Sequence, residues 1–293
     1  MGPVCAGDGA ARVVAVTLPL FSHHDDPGPD FAGLARRVGL GPVAPTSALA
    51  ADLRIPHGTT VVAIRYADGV VMAGDRRATS GHLISHRSIE KVFPADRYSG
   101  VAIAGAAGPA VEMVTLFQLQ LEHYEKVEGS HLSLEGKANQ LSQMVRNHLP
   151  AAMQGLAVVP LFAGYDLARG VGRLFQYDVT GGRYEEQDYA TSGSGMLHAG
   201  TVVKLGFRPG LDRSAVVDLA LKALWTASDE DSATGGPDSL RGIWPVIATI
   251  SGDGYQRVPD DELSGRFAEL LETDRLNRGA TAAGGTIGGG VAS

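Results

Sequence analysis

The character of the sequence changes abruptly after residue 58. Residues 1–58 carry Pro and Gly punctuation and small-residue stretches, with little periodicity beyond a short helical pattern near 31–38. From Thr59 onward, runs of β-branched residues alternate with turn signals such as Asp68-Gly69 and with apolar residues at helical spacing. We therefore expect the ordered domain to begin at Thr59.

The order of the predicted elements favours an α+β fold. Strands are expected at 59–66, 70–73, 99–104, 157–164, 174–179, 184–189 and 244–250, and helices around 111–121, 134–149, 196–205, 214–227 and 263–271. Because hairpins dominate over strand–helix–strand units, we expect antiparallel sheets covered by layers of helices. The chain has no P-loop, no complete dinucleotide-binding glycine pattern and no Gly-x-Ser-x-Gly elbow.

Composition excludes several classes of function. The 293 residues carry a formal net charge of −7, so the chain has no basic excess with which to build a general nucleic-acid-binding surface. The apolar run at 13–21 is too short to span a bilayer and lacks the pattern of a secretory signal. We therefore expect a cytoplasmic protein that binds neither nucleic acid nor membrane.

Metal and disulfide chemistry are also disfavoured. Cys5 is the only cysteine, so an intrachain disulfide framework and a thiolate zinc cluster are both impossible. His23, His24, Asp25 and Asp26 are adjacent in a Pro/Gly context, which we interpret as a solvated linker rather than a metal site. No metal or organic cofactor is expected.

The segment His57-Gly58-Thr59-Thr60 stands immediately before the first predicted strand. If the Gly58–Thr59 bond were cut, Thr59 would carry a hydroxyl nucleophile and a free α-amine whose unperturbed pKa is about 7.7–8. Such an amine accepts a proton near neutral pH without the help of a histidine. On these four residues alone, the favoured interpretation is simply the start of a β-rich strand.

Downstream motifs favour the catalytic interpretation. Gly-Asp-Arg-Arg-Ala-Thr stands at 74–79, Lys91 lies in Ser-Ile-Glu-Lys-Val, and Gly105 lies in Ala-Gly-Ala-Ala-Gly. In this order the motifs resemble the β-type subunit of the proteasome, an N-terminal-nucleophile hydrolase of the threonine class. The segments at 122–126 and 231–238 resemble the actinobacterial type, and the resemblance covers 59–275. It implies a four-layer αββα sandwich of two antiparallel sheets.

The resemblance also implies a role for each matching residue. Thr59 would be the nucleophile, Lys91 the cation beside its hydroxyl, and Asp75 the carboxylate that holds Lys91. Ser194 and Asp231 match positions that orient the α-amine, and the N–H of Gly105 matches the oxyanion hole. Thr234 stands where many relatives have serine, and a hydroxyl is kept.

Further positions match the family's substrate-binding residues. The main chains of Thr79 and Ala107 would pair with an extended peptide. The pocket for the first substrate side chain would be formed by Ala78, Ile89, Ile103 and Ala107. Because these four side chains carry no charge, we expect apolar substrate side chains to be preferred.

The resemblance predicts the organisation of the chain and its partners. Residues 1–58 would be a propeptide removed by self-cleavage at Gly58–Thr59, 59–278 the catalytic domain, and 279–293 a flexible tail. Seven-membered β rings would stack with rings of α subunits as α7β7β7α7. A ring ATPase would feed unfolded, tagged proteins through the α ring. Cys5 lies in the predicted propeptide, so the nucleophile of the mature enzyme could not be a thiol.

Two alternatives remain open at this point. The chain could be a non-catalytic structural ring subunit, although Thr59, Asp75 and Lys91 are all present. It could also be the β-like subunit of the bacterial two-component protease with six-membered rings. Chains of that protease are usually shorter and have a very brief propeptide, which the 58 residues before Thr59 do not match.

Overall fold

The computed structural model describes residues 58–283, which form twelve strands and six helices. The strands are β1 (Thr60–Tyr66), β2 (Gly69–Gly74), β3 (Ala78–Ser80), β4 (Leu83–His86), β5 (Val92–Asp96), β6 (Ser99–Gly105), β7 (Val158–Asp166), β8 (Val171–Tyr177), β9 (Arg183–Glu186), β10 (Tyr189–Gly193), β11 (Val246–Ser251) and β12 (Gly254–Arg257). The helices are α1 (Ala107–Glu128), α2 (Leu134–Asn147), α3 (Leu149–Ala152), α4 (Met196–Gly206), α5 (Arg213–Glu230) and α6 (Asp260–Ala283). No helix in the described part of the chain is both long and apolar enough to cross a membrane.

Two five-stranded sheets form the centre of the fold. The first has the strand order β10-β1-β2-β11-β12 and the second β5-β6-β7-β8-β9, and all their pairings are antiparallel. Strands β3 and β4 form a separate two-stranded hairpin. Strand β1 lies between β2 and β10, so the segment that begins at Thr59 starts inside a sheet rather than at its edge.

Three apolar cores separate four layers. One face of the first sheet packs on α4, α5 and α6, with Val62, Ile247 and Leu224 fully buried between them. One face of the second sheet packs on α1 and α2 around Phe117 and Phe162. The two remaining faces pack against each other in a third core. This arrangement confirms the predicted α+β fold with an αββα order of layers.

The structure departs from the predicted elements at one sheet crossing. The segment 184–189, predicted as a single strand, forms parts of two strands in different sheets. Tyr184 in β9 pairs with Gln176 in the second sheet, and Tyr189 in β10 pairs with Ile64 in the first. Alternation of apolar and polar residues reports which face is buried, and it carries no information on a change of sheet.

Several short elements had no sequence signal strong enough to predict them. These elements are β3, β4, β5, β12 and the four-residue helix α3. The predicted N-cap of α2 is confirmed, because the Ser133 hydroxyl accepts a hydrogen bond from the N–H of Gly136. The last helix continues to Ala283, five residues beyond the predicted domain boundary at 278. The metal-site question at residues 23–26, and the predicted propeptide up to residue 57, lie outside the described residues.

Candidate active site

The Gly58–Thr59 peptide lies at the entry to β1, with Thr59 only 4% exposed. The carbonyl oxygen of Gly58 accepts two hydrogen bonds, one from Thr59 Oγ1 at 2.7 Å and one from Lys91 Nζ at 2.9 Å. The Thr59 carbonyl in turn accepts from the backbone N–H of Ser194 at 2.8 Å. A hydroxyl and an ammonium therefore converge on the bond that precedes Thr59.

Lys91 lies just before β5, and its ammonium is enclosed by acceptors. Nζ lies 2.7 Å from Asp75 Oδ1 and 2.6 Å from the carbonyl oxygen of Arg77, in addition to its bond with Gly58. Burial lowers the pKa of Lys91, and the nearby charge of Asp75 opposes that shift. The site thus holds a cation whose proton is easier to release than that of an exposed lysine.

Asp75 follows the end of β2 and is fully buried. Its Oδ1 accepts from Lys91 Nζ at 2.7 Å and from the N–H of Thr60 at 2.8 Å. Its Oδ2 accepts from the N–H groups of Arg77 and Gly235, both at 2.9 Å. Four donors satisfy the buried carboxylate, which offsets the cost of removing it from water.

A second polar group lies beside the Thr59 nitrogen. The Thr59 N–H points at Ser194 Oγ over 3.4 Å, and Ser194 Oγ donates to Asp231 Oδ2 at 2.5 Å. Thr234 Oγ1 donates to the same carboxylate oxygen at 2.6 Å. Burial alone would raise the pKa of Asp231, yet the hydrogen bonds from Ser194, Thr234 and the Ala233 N–H together hold it below its usual range. Asp231 is therefore an anion that orients both hydroxyls.

Gly105 stands at the end of β6, in a conformation that requires glycine. Its φ is +120°, and a Cβ there would meet the carbonyl oxygen of Ala157 at 2.1 Å. Gly105 lines the same small pocket as Thr59 and Lys91. The backbone of residue 105 thus approaches the reacting groups without a side chain between them.

The predicted pocket residues surround one cavity next to Thr59. The four predicted residues all line it: Ala78, Ile89, Ile103 and Ala107. Three residues that were not predicted also line it: Glu90, Ala110 and Val111. The carboxylate of Glu90 forms an ion pair with Arg257 at 2.6 Å, which offsets its charge. The wall of the cavity is otherwise apolar apart from Lys91 and the hydroxyl of Thr59.

Thr79 lies in β3, beside the cleavage point rather than in the pocket wall. Its Oγ1 would be 2.8 Å from a Cβ placed on Gly58. The carbonyl oxygen of Ala233 and its Cβ would be 2.7 and 2.8 Å from the same atom. Residue 58 therefore sits in a space that admits only glycine.

The structure brings all the predicted site residues into one region, together with groups that sequence reasoning missed. Thr60 contributes both its N–H and its hydroxyl to the network, and Gly235 contributes an N–H to Asp75. The threonine at position 60 is evident in the sequence, but a hydroxyl residue in a β-rich segment does not by itself indicate a functional role. Across residues 58–283 no group of three or more His, Cys, Asp and Glu side chains could hold a metal ion.

Comparison with known proteins gives matches over most of the chain. The sequence model of a family described as "Proteasome subunit" matches residues 55–240. A protein of Acidimicrobium ferrooxidans described as "Proteasome subunit beta" is 59% identical over 265 residues, which cover 90% of this chain and 97% of that protein. A protein of Jonesia denitrificans with the same description is 56% identical over 209 residues, covering 71% of this chain and 69% of that protein.

Proposed function

The chain belongs to the proteasome subunit family, and from that premise we propose that it is the proteolytic β subunit of a proteasome core particle. In this proposal Thr59 is an N-terminal nucleophile that becomes active once the chain cleaves itself at Gly58–Thr59. The mature subunit then hydrolyses peptide bonds as a threonine endopeptidase. Residues 1–58 are the propeptide, 59–278 the catalytic domain and 279–293 a tail.

One observation carries the proposal. The carbonyl oxygen of Gly58 lies 2.7 Å from Thr59 Oγ1 and 2.9 Å from Lys91 Nζ, whose position is held by Asp75. A lysine ammonium on a carbonyl oxygen withdraws electrons from the carbonyl carbon and stabilises the oxyanion that forms on attack. The nucleophile and the electrophilic group are therefore already assembled around the bond to be cut.

In this proposal, self-cleavage uses these same groups. Thr59 Oγ1 attacks the carbonyl carbon of Gly58, and the negative charge that develops on the oxygen faces Lys91 Nζ. As the C–N bond breaks, the Thr59 nitrogen takes up the proton that the hydroxyl gave up, which leaves an ester and a free α-amine. Water then hydrolyses the ester, releases the segment ending at Gly58 and regenerates the Thr59 hydroxyl.

Peptide hydrolysis uses the same atoms with the α-amine as the base. The amine accepts the Thr59 hydroxyl proton as Oγ1 attacks the substrate carbonyl, and the oxyanion faces the backbone N–H of Gly105. The protonated amine then donates to the leaving nitrogen, and water hydrolyses the acyl ester. Asp231 and Ser194 orient the amine, while the Lys91 ammonium lowers the cost of forming the alkoxide.

The same proposal covers the assembly. We expect β rings of seven subunits stacked with α rings as α7β7β7α7 in the cytoplasm, fed with unfolded, tagged proteins by a ring ATPase. Enclosure in such a chamber would keep a broadly specific protease away from other proteins of the cell. Negative-stain images of the purified assembly test the ring, because seven-fold symmetry supports the proposal and six-fold symmetry favours the two-component protease.

The intact mass of the assembled protein tests the catalytic proposal. Self-cleavage predicts that the β chain begins at Thr59 and that the assembly hydrolyses fluorogenic peptides. The Thr59→Ala variant should retain residues 1–58 and have no activity. Thr249→Ala is a suitable control, because Thr249 is a buried threonine in β11 that takes no part in the site.

Two results would contradict the proposal. An assembled wild-type chain that still carries Gly58 would indicate a structural ring subunit instead. A Thr59→Ala assembly that hydrolyses peptides at the wild-type rate would remove Thr59 from the mechanism, whatever the state of its amino terminus.

A further inference from the structure

Thr60 is completely buried and directly follows the proposed nucleophile. Successive side chains of a strand point to opposite faces, and Val62 and Ile64 of β1 pack in the core formed with α4 and α5. Thr60 shares their face, so its hydroxyl is directed away from the pocket that Thr59 lines. A buried hydroxyl costs free energy unless it is hydrogen-bonded, and this one has two partners.

The hydrogen bonds of Thr60 have only one possible direction. The N–H of Gly195 donates to Thr60 Oγ1 at 3.1 Å, and Thr234 Oγ1 donates its single proton to Asp231 Oδ2 at 2.6 Å. The 2.6 Å contact between the two threonine hydroxyls must then use the proton of Thr60. The chain of donors runs from Gly195 through Thr60 and Thr234 to the carboxylate of Asp231.

The packing at this junction is tight. A Cβ on Gly195 would lie 2.3 Å from Thr60 Oγ1 and 2.9 Å from Thr234 Oγ1. Gly195 directly precedes α4 and directly follows Ser194, whose Oγ faces the nitrogen of Thr59. The Thr60 hydroxyl thus accepts from the backbone N–H next to Ser194. It also donates to Thr234, which, like Ser194, donates to the carboxylate of Asp231.

We propose that Thr60 is a positioning residue, whose hydroxyl fixes Ser194 and Asp231 so that they hold the α-amine of Thr59 in its catalytic orientation. The inference rests on the proposed function, because the α-amine exists only after self-cleavage. With the Ser194 proton given to Asp231, a lone pair of Ser194 Oγ is left to accept an N–H of the amine. The nitrogen lone pair is then free to face Thr59 Oγ1.

Thr60 is also held from its other side. Its N–H donates to Asp75 Oδ1 at 2.8 Å, the atom that also binds Lys91. Residue 60 therefore connects the carboxylate that positions the lysine with the carboxylate that orients the amine. This gives the two consecutive threonines separate tasks, the first in bond making and the second in alignment.

The test compares assembled particles that contain Thr60→Val or Thr60→Ser with the wild type. Valine keeps the shape and strand preference of threonine but removes the hydroxyl, whereas serine keeps the hydroxyl. For Thr60→Val we expect kcat for a fluorogenic peptide to fall by about tenfold or more with little change in KM, because a small misplacement of reacting groups is enough for such a loss. Thr60→Ser should recover most of the activity.

The pH profile separates positioning from general damage. The charged groups around the amine are Asp231 after α5, Lys91 before β5 and Asp75 after β2, and His198 of α4 lies close enough to Asp231 to lower its pKa. Loosening Ser194 removes an acceptor from the α-ammonium, so its pKa should fall. The acidic limb of the Thr60→Val profile should therefore move to lower pH, while Thr249→Val, a control in the same sheet, keeps the wild-type profile.

Each outcome decides the question. Thr60→Val with wild-type kcat and pH profile would overturn the inference, and so would Thr60→Ser as inactive as Thr60→Val. If valine prevents assembly, Thr60→Cys replaces it, with reduced kcat supporting the inference and wild-type kcat overturning it. A wild-type particle that never cleaves Gly58–Thr59 would overturn the proposed function itself. An active wild-type particle whose kcat and pH profile do not change when Thr60 is replaced by valine would overturn only this inference.

Discussion

Lys91 and Asp75 form an ion pair with an Nζ–Oδ1 distance of 2.7 Å, and their side chains are only 5% and 0% exposed. Because both side chains are buried away from water, each charge must be balanced by the charge of its partner. The pair also lies between β2 and β5, which belong to different sheets. It therefore joins the two sheets at the point where the Gly58–Thr59 bond is held.

Removing the charge of Asp75 should destabilise the fold and prevent self-cleavage. In Asp75→Asn the amide nitrogen is itself a donor, and it faces other donors in both orientations of the side chain. In one orientation these are the Lys91 ammonium and the Thr60 N–H, and in the other they are backbone N–H groups such as that of Arg77. Breaking a buried pair in this way costs about 3–5 kcal/mol of unfolding free energy. We expect a lower midpoint in denaturant and a chain that retains Gly58.

An ion pair at the surface provides the control for this variant. Asp238→Asn removes a carboxylate that binds Arg241 at the surface, where an ion pair contributes about 0–1 kcal/mol. It should process and unfold like the wild type. If Asp75→Asn matched Asp238→Asn in both measurements, the buried pair would have no part in cleavage.

Gly58→Ala should slow self-cleavage by at least about tenfold. The new Cβ would lie 2.7 Å from the carbonyl oxygen of Ala233 and 2.8 Å from Thr79 Oγ1, so residue 58 must shift relative to Thr59 Oγ1. The measurement is the fraction of processed chain by intact mass at intervals after assembly. Processing of Gly58→Ala at the wild-type rate would show that this space does not govern the alignment.

Gly265→Ala is the matched glycine control. Gly265 lies on the exposed side of α6 with open space where a Cβ would stand. Alanine there should leave processing unchanged and stabilise the helix by about 0.5–1 kcal/mol.

The β1–β2 hairpin shows what local sequence can predict. Asp68-Gly69 and the β-branched residues around it predicted two paired strands, and the structure pairs Arg65 with Val70 and Tyr66 with Gly69. Here the contacts are close in sequence, so the turn residues and the side-chain alternation determine the register.

The pairing of β1 with β10 shows what local sequence cannot predict. Thr60 pairs with Gly193, and this long-range contact brings Ser194 to the Thr59 nitrogen. No local pattern reports such a pairing, so Ser194 and Asp231 could be expected only through resemblance to a family. Glu90 was missed for a related reason, because its place in the pocket wall depends on how β5 enters the second sheet.

The pocket beside Thr59 should favour apolar side chains. Its predicted wall residues are uncharged, and the charge of Glu90 is offset by Arg257. A panel of fluorogenic peptides should be cleaved fastest after large apolar residues. Dominant cleavage after arginine or glutamate would contradict this expectation.

A charge introduced into the pocket should change that preference. Ala107 lies in the first turn of α1 and lines the cavity, so Ala107→Glu places a carboxylate beside the substrate side chain. We expect cleavage after lysine or arginine to rise relative to cleavage after leucine. Ala168→Glu, in the exposed turn between β7 and β8, adds the same charge away from the pocket and should leave the ranking unchanged.

The turn between β8 and β9 should make stability depend on pH in the acidic range. The Thr180 hydroxyl, the Gly182 N–H and the Tyr184 hydroxyl all donate to Asp178, and these bonds lower its pKa to about 2. Because the folded pKa lies below the ordinary value of about 3.9, the unfolded chain binds more protons between these values. The stabilisation is therefore complete above about pH 5 and is lost as the pH falls through the folded pKa of about 2. Since this turn is exposed to solvent, we expect these bonds to contribute no more than about 1 kcal/mol to the free energy of unfolding.

Urea unfolding of wild type and Asp178→Asn at several pH values measures the effect. The difference between the two should shrink as the pH falls, and a difference that stays constant with pH would contradict the assignment.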